Sequence, residues 1–280
     1  KSESSKEKKK EILNLLTTHN KLRSKDEFYE IKDNLYEACE NGDLEMIKIL
    51  LSEKIENSSR TLKFKIDETN QTASLFKISI LNPQYIIPRT VEHESTEYLI
   101  TSIVNIGFSI DFIKFSEDSA VKTVYQKAFY HSQIKEIYFP ASLKELKEGW
   151  CEGADNLRKI IISPSNGQFK FIDDKYLIGK SDENNDEFDT LLFVLRNIEE
   201  FSIPSNIKII SSYVFHDCFN IKKIEIPSNS NLQTIGKCAF SRSNIESFFI
   251  PPKVSKICES AFHLCPNLKK IEIPPNSILQ

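Results

Sequence analysis

A short pattern recurs through the second half of the chain and restricts the fold more than any other feature of the sequence. Val124-x-x-x-Ala128-Phe129, Ile235-x-x-x-Ala239-Phe240 and Ile257-x-x-x-Ala261-Phe262 share one spacing, and Ile210-x-x-x-Val214-Phe215 fits with Val in the small position. Neighbouring copies lie about 22 to 25 residues apart, a period that belongs to solenoids and arrays. A few residues after each Phe comes a second apolar group: Ile134-x-x-Ile137-x-Phe139-Pro140, Ile221-x-x-Ile224-x-Ile226-Pro227, Ile245-x-x-Phe248-x-Ile250-Pro251 and Leu268-x-x-Ile271-x-Ile273-Pro274. Its alternation reads as a short strand, and Pro, with no amide hydrogen and a fixed φ, marks where that strand stops. One such strand cannot fold alone. Copies stacked about 4.8 Å apart pair with one another and bury one continuous core.

Two copies are degenerate. In LKEGWCEGADNL, Leu146 to Leu157, Trp150 holds the Ala place and Cys151 the Phe place, which implies a remodelled turn; an earlier copy starts at Ile103 and puts Gly107-Phe108 where Ala-Phe should be. Between Pro164 and Ile198 the period fails. There FKFIDDKYLIG, the acidic run Ser181 to Asp189 and TLLFVL read as a hairpin with a long, solvated polar tip.

The pattern I-x-x-x-A-F-x-x-C-x-x-L-x-x-I-x-I-P resembles the leucine-rich repeats of BspA-like surface proteins over residues 84–280, with Cys218 and Cys265 at that pattern's Cys position. Ile87-Pro88-x-x-Val91 and Tyr98-x-Ile100-Thr101-x-Ile103 look like the lead-in of such arrays. Members are bacterial and parasitic-protist proteins linked with adhesion to host cells or matrix, so the resemblance implies a binding surface rather than a chemistry. Toward the other end, LYEACENGDLEMIKILL, residues 35–51, resembles one ankyrin repeat. Ala38 would be the small contact of a first helix and Gly42 its end, with Asp43 capping a second helix that buries Met46, Ile47, Leu50 and Leu51. Ile12, Leu13, Leu15, Leu16 and Leu22 suggest a further helix upstream. A boundary falls near Asn57-Ser58-Ser59, ahead of the strand-like LKFKID.

Composition narrows the function. A formal net charge of -3 argues against a dedicated nucleic-acid binder, and 7 Gly leave little room for glycine-built phosphate loops. The six Cys form neither a dense disulfide scaffold nor a zinc-spaced cluster, so reduced thiols are expected; Cys238 and Cys258, in adjacent repeats but at different phases, leave one disulfide open. No apolar stretch approaches the roughly 18 residues of a membrane helix. No nucleophile with an orienting base is visible: His216 and His263 each follow a repeat Phe and share a turn position, and Cys218 in His216-Asp217-Cys218 falls on the buried Cys position.

The expectation is an α+β chain in which a short helical ankyrin-like unit precedes a leucine-rich-repeat β-solenoid interrupted by one hairpin insertion. Its divisions are residues 1–57 for the helical unit, 58–118 for a β-rich lead-in and first repeat, and 119–280 for the solenoid, with the insertion at 165–197. Outward-pointing ladder residues make the binding surface: Tyr138, Ile161 and Phe249 as apolar contacts among charges, with Lys222, Lys223, Lys269 and Lys270. The expected function is a non-catalytic protein-binding module, scaffold or adhesin, with a regulatory piece of an enzyme as the distant alternative. Neither metal nor cofactor is expected, nor nucleic acid or membrane insertion. The ankyrin-like unit favours the cytoplasm; the cell surface is the alternative. Ile273-Pro274-Pro275-Asn276-Ser277-Ile278-Leu279-Gln280 matches Ile226 to Gln233 in phase, which predicts further repeats beyond it and leaves self-association through an open last rung as a second mode of contact.

Overall fold

The repeat turns are built around two left-handed residues each, one before the small residue and one two places after the Phe. They are Lys127 and His131, Tyr213 and Asp217, Cys238 and Arg242, and Ser260 and Leu264, with φ between 48° and 64°. Each such non-glycine residue costs roughly 1–2 kcal/mol of local strain. In the degenerate copy both places are Gly, Gly149 (φ 61°) and Gly153 (φ 68°), so this turn adopts the same conformation without that cost. The small residue between them faces the neighbouring turn, where successive rungs are tied by backbone bonds: Phe129 N–H to Trp150 O (2.9 Å), Phe215 N–H to Ala239 O (2.7 Å) and Phe240 N–H to Ala261 O (2.8 Å).

The computed structural model describes residues 55–59, 62–78, 84–106, 110–184 and 186–279. Every rung is a coil with a strand on either side of the core. Leading into the turns is a parallel ladder whose strands are mostly two residues long: Thr123–Val124 joins Thr96–Ile103 to Glu145–Leu146, and further on Thr190–Val194, Ile209–Ile210, Thr234–Ile235 and Lys256–Ile257 run in sequence. The opposite ladder carries the longer strands. Gln84–Ile87, Phe112–Phe115, Glu136–Phe139 and Lys159–Ile162 form one parallel sheet, followed by the pairs Glu200–Ser202 with Lys223–Glu225 and Ser247–Phe249 with Lys270–Glu272.

Between the ladders the Phe residues stack. Phe215, Phe240 and Phe262 lie parallel, with centroids 4.8 Å and then 5.1 Å apart, and Phe129, Phe215 and Phe240 are fully buried. Trp150 is core: it is buried at the centre of Phe129, Phe139 and Phe193, each within 5.9 Å. The insertion is a three-stranded antiparallel meander, Phe169–Ile172, Tyr176–Gly179 and Thr190–Val194. Its first turn bends at left-handed Asp173 and Asp174, and its second bears the acidic tip. Within that tip Asp189 is buried, accepting hydrogen bonds from Ser181 and pairing with Lys208.

Every regular element among the described residues is a strand. The α+β class expected from sequence is therefore corrected to an all-β solenoid. Residues 55–57, placed by the sequence reading at the end of the helical unit, belong instead to the strand Ile55–Ser59, which pairs antiparallel with Leu62–Asp67. Its partner continues the lead-in by pairing with Thr72–Ile78, so sheet pairing claims these residues. The ankyrin-like segment at 35–51 and Gly107-Phe108 of the first repeat lie outside the described residues.

Candidate binding surfaces

On a sheet with one buried face, every second residue points outward, and in-register parallel strands turn those positions into rows. Along the first long-strand sheet Ile86 pairs with Lys114, and Tyr138 with Ile161. The next row out pairs Phe112 with Glu136, and Glu136 with Lys159. Phe112 leans edge-on against Tyr138 with ring centroids 5.1 Å apart, and the Lys114 ammonium lies 5.8 Å from the Tyr138 ring. Ile86, at the end of the row, is 60% exposed.

Two of the residues selected from sequence, Tyr138 and Ile161, are thus brought face to face. Phe249 is not with them: it is 41% exposed and pairs with Glu272 on the separate sheet formed with Lys270–Glu272. The four lysines are each engaged within the ladders. Lys222 pairs with Glu199 (3.1 Å), Lys223 with Glu225 (2.6 Å), Lys269 with Glu246 (3.6 Å) and Lys270 with Glu272 (2.9 Å). Pairs this exposed are labile, so they leave the lysines free to exchange partners. Sequence reasoning passed over Ile86 and Phe112. Pro88 carried the signal for Ile86, since aligning Ile87-Pro88 with Phe139-Pro140 puts Ile86 in the Tyr138 column; Phe112–Phe115 lacks a closing Pro.

The residues that suggested chemistry are accounted for by structure. Cys218 is fully buried, and burial pushes its thiol up even though the Arg196 guanidinium sits 3.2 Å from its sulfur. His216 lies 3.0 Å from the Asp217 carboxylate, whose other oxygen is 2.8 Å from Arg242 Nε. Burial acts to raise the Asp217 pKa, but His216, Arg242 and Arg196 outweigh it and hold this carboxyl below the usual range. The described cysteines are all free thiols, Cys238 and Cys258 included. Among the described residues no group of three His, Cys, Asp or Glu is placed to hold a metal ion, and no helix is long and apolar enough to cross a membrane.

A second feature lies on the turn side, where the insertion interrupts the repeat. Arg196 is buried there, and its guanidinium donates to the carbonyls of Val214 (2.5 Å), Val194 (3.2 Å) and Tyr213 (3.4 Å) while lying over the Phe193 ring. By the repeat's own phase, Val214 O is the acceptor that a backbone amide of the preceding rung reaches elsewhere. Here a side chain reaches it. Beside Arg196 opens a cavity of about 190 Å³, lined among others by Asp155, Arg158, Asn197, Asp217, Phe219 and Asn220.

Solved leucine-rich-repeat structures are similar at low identity. A leucine-rich cell surface protein from Faecalibacterium prausnitzii is 16% identical, over 81% of this chain and 90% of its own, with a TM-score of 0.44. A leucine-rich repeat protein from Eubacterium ventriosum is 19% identical, over 79% and 72%, with a TM-score of 0.49. The pneumococcal vaccine antigen PcpA is 15% identical over 80% and 82%, with a TM-score of 0.34. No curated protein matches the chain. The BspA type leucine rich repeat region, by contrast, matches residues 99–177 and 187–279 in six copies, with residues 178–186 of the insertion between them. That is more than half of the chain, laid on the rungs described above, and the chain belongs to the BspA type leucine-rich-repeat family.

Proposed function

We propose that the chain is a non-catalytic protein-binding module whose partner lies across the outer face of the long strands. The observation that carries this reading is the row Ile86, Lys114, Tyr138 and Ile161 with Phe112 beside it: exposed Ile86 and half-buried aromatic and aliphatic groups, in register on one sheet face among charges. Contacts of this composition supply most of the affinity in protein interfaces, while rim charges set orientation and on-rate. In the proposal Tyr138 and Ile161 anchor the partner. Phe249, Lys222, Lys223, Lys269 and Lys270 form a second, more polar contact further along, and exposed Ile271 and Ile273 allow a homotypic contact. The divisions 58–118 and 119–280, with the insertion at 165–197, belong to the same proposal, the lead-in now opening with the strand Ile55–Ser59.

Location follows the family. The cytoplasmic preference rested on the ankyrin-like segment, which lies outside the described residues, whereas membership of the BspA type favours a surface or secreted adhesin. A photo-crosslinking residue placed at position 138, and a control at Lys256 on the opposite ladder, test the contact surface. Crosslinks from 138 that disappear in Ile161→Ser, at unchanged melting temperature, are the expected result. Equal crosslinking from both positions, or loss of binding only together with loss of folding, would put the surface elsewhere.

A further inference from the structure

From the junction cavity we infer a second binding site, specific for a carboxylate group. The repeat stacks turn on turn except where the insertion enters, and there a guanidinium takes the place of the backbone donors. Arg196 is 7% exposed and lines the cavity, and Arg158 at the rim has no acidic partner among the described residues. An exposed guanidinium without an ion-pair partner, with a second cation behind it in the wall, is a group that a ligand oxygen would satisfy.

The other walls define the ligand. Arg158 is exposed at the rim and Leu157 is buried beneath it. Phe219, 51% exposed, offers an apolar side wall, and Asn220 is fixed by its amide donating to Arg196 O at 3.1 Å. Of the two carboxylates in the lining, Asp217 is already paired with Arg242 at 2.8 Å. Asp155 remains as the one opposing charge against Arg158 and Arg196. The balance favours an anion, and planar guanidinium donors favour a carboxylate. A cavity of about 190 Å³ admits a group the size of a Glu side chain, with its methylenes against Phe219 and Leu157. The site is on the turn side and stands independently of the strand-face reading.

The carboxylate can come from an acidic side chain of a polypeptide or from a free small acid, and two probes separate these. Glutarate and the blocked tripeptide Ac-Ala-Glu-Ala-NH2 would each be titrated into the isotope-labelled 280-residue chain and followed by NMR, with Ac-Ala-Gln-Ala-NH2 as the neutral control. The expected result is saturable shifts at Asn197, Phe219 and Asn220, absent with the Gln peptide. Tighter binding of the blocked peptide assigns the site to a polypeptide; tighter binding of glutarate assigns it to a small acid. Arg196 is structural, so the variants avoid it. Arg158→Ala should weaken binding, and Asp155→Asn should strengthen it about threefold by removing the opposing charge. Absence of saturation with either acid, equal binding of the Gln peptide, or weaker binding in Asp155→Asn would each overturn the inference.

Discussion

Phe240→Ala removes the middle ring of the stacked column, and its cost can be worked out from its surroundings. The side chain is fully buried, stacked at 4.8 Å on Phe215 and 5.1 Å on Phe262, and tilted against Phe248 at 4.8 Å. Returning a buried Phe to Ala forfeits about 1.5–3 kcal/mol of transfer free energy. The rungs on both sides are held apart by backbone bonds, Phe215 N–H to Ala239 O and Phe240 N–H to Ala261 O, so the space cannot close by sliding them together. A remaining void of roughly 70 Å³ at ~24 cal/mol per Å³ adds about 1.7 kcal/mol. The expected loss is therefore about 4 kcal/mol. Urea unfolding followed by far-UV circular dichroism measures it: with a slope near 2 kcal/mol/M, the midpoint should fall by about 2 M. Phe249→Ser, nine residues along but facing solvent, should move the midpoint by less than about 0.5 kcal/mol equivalent. A Phe240→Ala loss under about 1 kcal/mol, or a Phe249→Ser loss as large as that of Phe240→Ala, would refute the assignment of the two faces.

Two further outcomes follow from close contacts and charge. A Cβ on Gly236 would fall 2.5 Å from Ser212 N and 2.6 Å from Ser211 C, backbone atoms of the adjacent rung that cannot swing aside; Gly236→Ala should therefore cost about 2–3 kcal/mol in chemical denaturation, and a neutral result would mean the rungs are further apart. Asp217 has a folded-state pKa below its ordinary value of about 3.9, so the unfolded chain binds its proton more readily. Its contribution is complete above that value and is lost as pH falls through the folded one. Melting temperature should fall below about pH 4, and Asp217→Asn should lower stability by about 1–3 kcal/mol at neutral pH while flattening the acid limb; an unchanged acid limb would show that Asp217 does not govern it.

The periodic parts of this fold were legible because each rung repeats the same physical solution. The Ala and Phe places, the strand before each Pro and the outward columns could all be read from spacing, and Phe215, Phe240 and Phe262 stack as that spacing requires. What escaped reading is aperiodic. Trp150 looked like a disturbance, but Gly149 and Gly153 supply the left-handed positions that let the turn keep its shape around a large ring. The row at Tyr138 was seen only in part, since Phe112–Phe115 ends without Pro and its register emerges only from pairing. Arg196 carried no local signal. Its partners Tyr213, Val214 and Cys218 lie in the next rung, and only the break in stacking at the insertion brings them to it.

That break also explains how an interrupted array stays continuous. The buried residues form two clusters, and the strand Thr190–Val194 with the residue after it is shared between them: Phe193 and Leu195 face the first, Leu191 and Val194 the second, while Ile198 packs against both. The insertion is thus a partition wall with a core on each side. A wall on the strand side leaves the turn side short of donors, because the rung before it and the rung after it no longer meet in backbone register. Ser212 Oγ to Glu148 at 2.7 Å ties them at one point. Arg196 supplies the rest, and only a guanidinium could: a Lys ammonium is a compact, strongly hydrated charge, whereas the flat fork of Arg reaches several carbonyls at once and tolerates the face of Phe193. Its burial is costly, and these bonds are what offset it. The same substitution of side chain for backbone creates the cavity, since a fork covers less surface than a stacked turn. The structural repair and the candidate carboxylate site are therefore one feature, and a chain with an uninterrupted array would have neither.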